Sequence, residues 1–300
     1  MGAAGAETVY GKSENIPETA LFIGKCAYRA LLEEVYTTPK PGLVDLYSSG
    51  AHTDMDVHTF EKSAETLYPW FIRIVTQGMY FKGSPEKLFL EIRKTGMNAE
   101  KAMYDATGGV NTHKGLIFTL GIFCAAAGRL CGVDGKKFTL RELCQLQKEM
   151  TSKILQQELK DIQTRPARSH GEQNILKYGT AGIRGEALAG YSSVFCLALP
   201  VMERGILEGR DWNLIKLQTL LVLMSRIQDS NILSRTDPEE LKRVQKEIEL
   251  FLETGGAYRE DAVACLESLD AAYSMRNVSA GGCADLLAVA IFFYLLLKTE

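Results

Sequence analysis

Nearly every long apolar segment of this chain repeats at the helical period and opens or closes on a capping residue, a pattern that leaves little room for a sheet. Asn15-Ile-Pro-Glu18 has the form of a capping box with proline in the first turn, which predicts a helix to about Val35. Thr53 or Asp54 caps a second helix through Phe60, Leu67, Phe71 and Ile74. Ser84-Pro85 opens a third, which Gly108-Gly109 stops. Leu116 to Leu130 is very apolar and predicts a central helix, and Thr139-Leu-Arg-Glu142 is a second capping box. Residues 163–184 read as irregular, and Gly185 to about Glu208 reads as one helix kinked at Pro200. Asp211 caps the next helix, Asp237-Pro238 starts an exposed one that ends at Gly255-Gly256, and two more follow near 258–275 and 282–298. Strand-like alternation is confined to short pieces such as Gly42-Leu-Val-Asp45, and no repeat or Pro/Gly/Ser linker divides the chain. The expectation is an all-α fold: a flexible N-terminus over residues 1–17, then a single domain, 18–300, of about ten helices with its site in Gly-rich interhelical loops.

Hydrophobic residues make up 46% of the 300, enough to bury a large core. A formal net charge of −3, without any basic run, argues against nucleic acid as a partner. The first residues have neither the charged start nor the apolar stretch of a signal peptide, and Ala6 breaks the myristoylation pattern that Gly2 begins. The most apolar run, Leu286 to Leu297, is twelve residues long, against about 20 for a membrane span, so it reads as a core helix. Seven cysteines include no C-x-x-C pair and mostly sit in apolar helical stretches, as free thiols do in a reducing compartment. A soluble, cytoplasmic protein with no membrane partner is expected.

Polar residues gather at four junctions: Thr37 to Asp45 with Gly50 to Asp54, Ala106 to Lys114, Ser169-His-Gly171 with Gly179 to Glu186, and Gly281 to Asp285. A fifth patch is Asp229-Ser-Asn231, and three of the four histidines, His52, His113 and His170, fall in these loops. Gly108, Gly109, Asn111, Thr112, His113 and Lys114 precede a helix, whose N-terminal N–H groups attract phosphate oxygens. The same residues also suit a helix stop followed by a new cap, and they lack the spacing of a Walker A loop. Arg184 and Glu186 place a cation and a carboxylate at a helix start, which serves phosphate recognition or an ordinary exposed first turn. Lys40, between two prolines, reads as a solvent-facing lysine. Glu34, Asp45, Asp54, Asp229 and Asp285 are candidate magnesium ligands, although an isolated aspartate is more often a helix cap. Asp285 differs, because it heads an otherwise apolar helix and must either pair internally or face a site. Jointly these junctions point to a phosphorylated nucleotide handled with a divalent metal.

At these residues the sequence resembles the triphosphoribosyl-dephospho-CoA synthase family, over about residues 20 to 298. The resemblance is carried by Glu34-Val with Thr38-Pro-Lys-Pro-Gly-Leu-Val-Asp45, Gly50-Ala-His-Thr-Asp-Met55, Ala106-Thr-Gly-Gly-Val-Asn-Thr-His-Lys-Gly115, Arg184-Gly-Glu-Ala187 and Asn277-Val-Ser-Ala-Gly-Gly-Cys-Ala-Asp-Leu-Leu287. Two places depart from it: Ile-Leu-Ser-Arg-Thr follows Asn231 where the family carries Arg-Gly-Gly, and Ala280-Gly-Gly-Cys283 stands for Pro-Gly-Gly-Ser.

The resemblance implies transfer of the 5-triphosphoribosyl group of ATP to the 2′-hydroxyl of 3′-dephospho-CoA, with loss of adenine. The product is the prosthetic-group precursor of citrate lyase or malonate decarboxylase, passed to an acyl-carrier-protein transferase. Holding the triphosphate calls for Mg2+, cations and donors, for which Lys40, His113, Lys114 and Arg184 are candidates with Gly108, Gly109, Asn111, Thr112 and Asn231. Glu34, Asp45, Asp229 and Asp285 are the metal candidates. Glu186 and Asp54 are candidates for the carboxylate roles, stabilising the ribosyl cation or accepting the hydroxyl proton, and His170 for an acid. Two other readings are a metal-dependent nucleotide glycohydrolase and a non-catalytic helical nucleotide-binding protein.

Overall fold

The computed structural model describes residues 16–298, so Asn15, most of the expected flexible N-terminus and Glu300 lie outside the described residues. Within them the fold is all-α, with thirteen α-helices, one π-helix, one 3-10 turn and no strand. The helices are α1 (Glu18–Val35), α2 (Val57–Tyr80), α3 (Pro85–Thr107), α4 (Lys114–Cys131), α5 (Leu140–Ile162), α6 (His170–Tyr178), α7 (Gly182–Ala189), α8 (Leu199–Leu207), α9 (Trp212–Arg226), α10 (Ser230–Arg235), α11 (Pro238–Glu253), α12 (Ala262–Met275) and α13 (Gly281–Leu297).

Several predicted caps form as hydrogen bonds. Ser84 Oγ accepts from the Lys87 N–H, and Gly108, left-handed at φ 68°, ends α3 by donating to the Tyr104 carbonyl. At the Thr139 box, the Glu142 carboxylate accepts from the Thr139 N–H at 2.8 Å and the Thr139 hydroxyl accepts from the Glu142 N–H at 3.2 Å. Asp211 and Asp237 each accept two N–H bonds in the first turns of α9 and α11.

Three expectations need correction. The second helix starts at Val57, so Thr53 and Asp54 lie in the bend before it. Residues 163–184 are not simply irregular: α6 lies inside them, capped by Ser169 and closed by left-handed Gly179. The long helix expected from Gly185 to Glu208 is broken at Gly190-Tyr191, not at Pro200. Gly190 (φ 69°) and Tyr191 (φ 55°) are both left-handed. For a non-glycine residue that backbone costs roughly 1–2 kcal/mol, which the full burial of the Tyr191 side chain offsets. A π-turn at Val194–Ala198 then leads into α8, whose first turn takes Pro200 where no intrahelical N–H is needed. These splits, with the short α10, raise the helix number above ten.

The chain forms two compact units, each built from separated segments. The first comprises residues 1–32, 59–155 and 292–300. Its core includes α2, with Pro69 inside it, and α4 in near backbone contact: a Cβ on Gly78 would lie 2.1 Å from the Ala125 carbonyl oxygen. Phe123 meets Phe293 edge-on at 4.7 Å in the same unit. α4 is long and apolar enough to cross a membrane, but 72% of it is buried within the protein, as in a core helix. The second unit comprises residues 33–58 and 156–291 and carries most of the polar junctions.

Candidate active site

In the second unit the chain leaves α1 through a loop held by its own polar groups. Asp45 is its brace, accepting from the Thr38 hydroxyl (3.0 Å) and from the backbone N–H groups of Lys40 (2.8 Å), Tyr47 (2.9 Å) and Ser48 (2.9 Å). Those four bonds occupy the Asp45 carboxylate with loop architecture, leaving little of it for a metal. Asn213 pins the same loop to α9, accepting from the Thr38 N–H at 3.1 Å and donating to its carbonyl at 2.6 Å. Lys40 is not solvent-facing: it is 1% exposed, ion-paired with the Glu34 carboxylate and bonded to the Glu34 carbonyl at 2.8 Å. Its charge is met by an acid six residues back.

The start of α13 lies among acids. Asp229 caps α10 with one oxygen, accepting from Asn231 N–H (2.8 Å) and Ile232 N–H (3.2 Å), and takes the Cys283 N–H (2.8 Å) on the other. Gly281 and Gly282 are small because this cap lies against them: added Cβ atoms would stand 2.6 Å from Asn231 Nδ2 and 3.0 Å from Asp229 Oδ2. Burial pushes the Asp229 carboxyl up, against the pull of its backbone donors. The Cys283 thiol is pushed well up by burial and by Asp229, Glu186 and Asp285 around it. Asp285 is pushed well above the carboxylate range by burial first, then by Glu34 and Asp229. No hydrogen bond to the Asp285 carboxylate forms among the described residues, and the side chain keeps part of its surface open although protein atoms crowd it. An unbonded acid crowded by other acids is where a cation would relieve repulsion.

Glu186, on α7, faces the same region. Its Oε1 accepts from the Ser193 hydroxyl at 2.5 Å, while Oε2 is shut from solvent and accepts no hydrogen bond among the described residues. Burial raises this carboxyl above its ordinary value, opposed by the Ser193 hydroxyl and N–H. Arg184, two residues earlier, holds its Nε 4.0 Å from the Glu158 carboxylate, and among the described residues that Nε makes no hydrogen bond. His170 opens α6, but its side chain lies outside the described residues. Asp54 is exposed on its bend, 3.8 Å from His52 Nδ1, and His52 Nε2 meets the Ser279 hydroxyl at 2.9 Å.

The first unit holds the loop from Gly108 to Lys114. Gly108 and Gly109 are exposed left-handed residues ending α3, with open space where a Cβ would stand. Thr112 donates to Ser63 Oγ at 2.7 Å, and Ser63 meets His113 Nδ1 at 2.7 Å, which buries the imidazole edge-on to Phe60. Lys114 pairs with Glu100 at the surface, and Asn111 accepts from the Lys114 N–H at 3.3 Å. The His113 side chain makes no cap bond at the start of α4.

Among the described residues, Glu34, Lys40, Glu186, Asp229 and Asp285 come together, with Asn231 beside Gly281. Among the described residues no group of three or more His, Cys, Asp or Glu is arranged as a metal cage. The acids fit a magnesium ion held by one or two carboxylates with phosphate oxygens and water, the usual habit of that ion, and Asp285 is the one whose carboxylate takes no hydrogen bond among the described residues. Ser193 carried no local signal of its place, since the bend after α7 brings it to Glu186.

Comparison with known proteins gives one consistent answer. A family model described as ATP:dephospho-CoA triphosphoribosyl transferase matches residues 20–300. A probable 2-(5″-triphosphoribosyl)-3′-dephosphocoenzyme-A synthase from Photobacterium profundum is 38% identical over 279 residues, covering 92% of this chain and 88% of its own. The synthase of the same name from Klebsiella pneumoniae is 40% identical over 277 residues (92% and 91%), and that from Escherichia fergusonii 39% over 271 (90% and 89%). No solved structure matches the chain.

Proposed function

We infer the activity from one premise: the chain belongs to the ATP:dephospho-CoA triphosphoribosyl transferase family. The protein transfers the 5-triphosphoribosyl group of ATP to the 2′-hydroxyl of 3′-dephospho-CoA. The C1′–N9 bond of ATP breaks and C1′ bonds to the acceptor oxygen. The acceptor hydroxyl loses its proton, and adenine departs having gained one. No phosphoanhydride bond is cut, so the residues must hold the triphosphate and act at the ribose.

The observation that carries this reading is the buried Oε2 of Glu186, unbonded among the described residues and set near the same Cys283 that Asp229 and Asp285 surround. A carboxyl raised by burial is suited to accept the acceptor's proton and, as an anion, to face the oxocarbenium charge that grows on the ribose. Asp54 is the second candidate carboxylate, and His170 the candidate acid toward adenine. Arg184, whose Nε makes no hydrogen bond among the described residues and stands 4.0 Å from Glu158, is suited to the triphosphate, and Asn231 supplies an amide at the glycine-lined start of α13. The loop from Gly108 to Lys114, before the start of α4, is a further candidate for phosphate contact. Asp285 would hold Mg2+ with its neighbour Glu34, and the bound ion neutralises part of the triphosphate charge. A cytoplasmic location is supported by seven free cysteines and a mostly buried α4. Delivery of the product to an acyl-carrier-protein transferase follows from the product's chemistry as a prosthetic-group precursor.

The test is incubation with ATP, Mg2+ and 3′-dephospho-CoA, followed by chromatography with mass detection. Adenine and triphosphoribosyl-dephospho-CoA are expected in equal amounts, with Glu186→Gln slowed at least about 100-fold while folded. Adenine without the coupled product would replace transfer by hydrolysis. ATP binding without adenine release would remove catalysis altogether.

A further inference from the structure

Glu186 is held in an unusual way. The chain bends by 74° after α7, at two consecutive left-handed residues, Gly190 and Tyr191. The Gly190 N–H returns to the Ala187 carbonyl and the Tyr191 N–H to the Glu186 carbonyl at 2.7 Å, so the bend is tied to Glu186 itself. Tyr191 is wholly buried, which holds the bend in place. The bend brings Ser193 to the Glu186 carboxylate, where its hydroxyl bonds Oε1 at 2.5 Å and its N–H adds to the hold. The other oxygen is left closed to solvent and unbonded among the described residues.

We propose that Ser193 is the positioning residue of Glu186, its hydroxyl on Oε1 fixing the angle at which the carboxylate meets the reacting groups. This rests on the assignment of Glu186 to the transfer reaction. The constraint is geometric. A carboxylate free to rotate would present either oxygen at either angle, and reactive geometry is sensitive to displacements of about 1 Å, which can cost about 100-fold. A backbone turn stabilised only to bring one hydroxyl to one carboxylate is a place where strain and function coincide.

The test compares Ser193→Ala and Ser193→Thr with wild type by adenine release under saturating and limiting ATP and 3′-dephospho-CoA. Ser193→Ala keeps the backbone N–H and the turn, so its kcat is expected to fall about 10-fold rather than abolish turnover, with both KM values within about twofold. Ser193→Thr restores the hydroxyl and is expected to recover most of kcat. Ser193→Ala with unchanged kcat, or a rise in KM at constant kcat, would overturn the positioning role while leaving the activity intact. An equal loss in both variants, with melting as in wild type, would overturn it too, because the hydroxyl would not be the determinant. Glu186→Gln at wild-type kcat removes the premise and the proposal together, and so does a wild-type protein that releases no adenine. Those two outcomes are distinguished from the others by the wild-type and Glu186→Gln rates.

Discussion

Replacing Lys40 by methionine isolates the buried ion pair. Lys40 is 1% exposed and Glu34 3%, and the ammonium is bonded to the Glu34 carboxylate and carbonyl. Methionine keeps most of the volume and deletes the charge. Glu34 is then a buried anion without its cation, with Asp285 close enough to repel it. Removing one partner of a buried pair costs about 3–5 kcal/mol, because the remaining charge keeps its desolvation penalty. Unfolding entropy of about 2.1 cal/mol/K per residue gives roughly 0.6 kcal/mol/K for 300 residues, so Tm falls by about 5–8 °C. Adding Glu34→Gln removes the orphaned charge and recovers most of the loss, as coupled neighbours require. Lys114→Met, which breaks the exposed pair with Glu100, costs under about 1 kcal/mol and serves as the comparison. Circular-dichroism melts of the four proteins decide the matter. A Lys40→Met melt within about 1 °C of wild type, together with a raised KM for ATP, would refute this account and return Lys40 to the phosphate.

Asp285→Asn is expected to stabilise the protein by about 0.5–2 kcal/mol while lowering turnover and magnesium dependence, the trade-off typical of a charge kept for function. A carboxyl raised in the folded state contributes stability below its ordinary value of 3.8 and loses it as pH rises, so the gap over wild type widens with pH in melts; a constant gap would count against it. Glu172 shows the opposite sign: the Arg165 fork and the Arg168 N–H hold its carboxyl down at about 2 against an ordinary 4.5. Arg165→Ala is therefore expected to destabilise fully above about pH 4.5, the difference fading as pH falls toward 2; equal melts at pH 7 would sink the reading. Gly42→Ala places a methyl 2.2 Å from the Val278 carbonyl oxygen at a backbone φ of 72°, and a loss above about 2 kcal/mol is expected in denaturant titration.

The parts of the fold legible in the sequence are those decided within a few residues. Ser84-Pro85, Thr139 with Glu142, Asp211 and Asp237-Pro238 announce helix starts because the cap bonds lie within one turn. α6 was less visible: it is nine residues long, and Glu172 is neutralised by Arg165 from outside the helix. The break at Gly190-Tyr191 hid behind Pro200 because burial of the tyrosine selects the left-handed turn, while the π-turn admits the proline. In the site, Asp285 was readable as an acid heading an apolar helix. Lys40 misled because flanking prolines suggest a rigid exposed loop, whereas the partner that buries it is on α1. Ser193 had no signal at all, since only the bend at Gly190-Tyr191 brings it to Glu186.

The interleaving of the two units has a practical consequence for dissecting the molecule. The first takes residues 1–32, 59–155 and 292–300, and the second 33–58 and 156–291, so every boundary falls inside a helix: α1, α2, α5 and α13 each change unit partway along. No single cut of the polypeptide separates one unit from the other. Truncated expression would therefore produce chains with unmatched apolar helix faces, prone to aggregate, rather than half-molecules that can be assayed. Protease nicking faces the same limit, and complementation would need both pieces to find each other before either could fold.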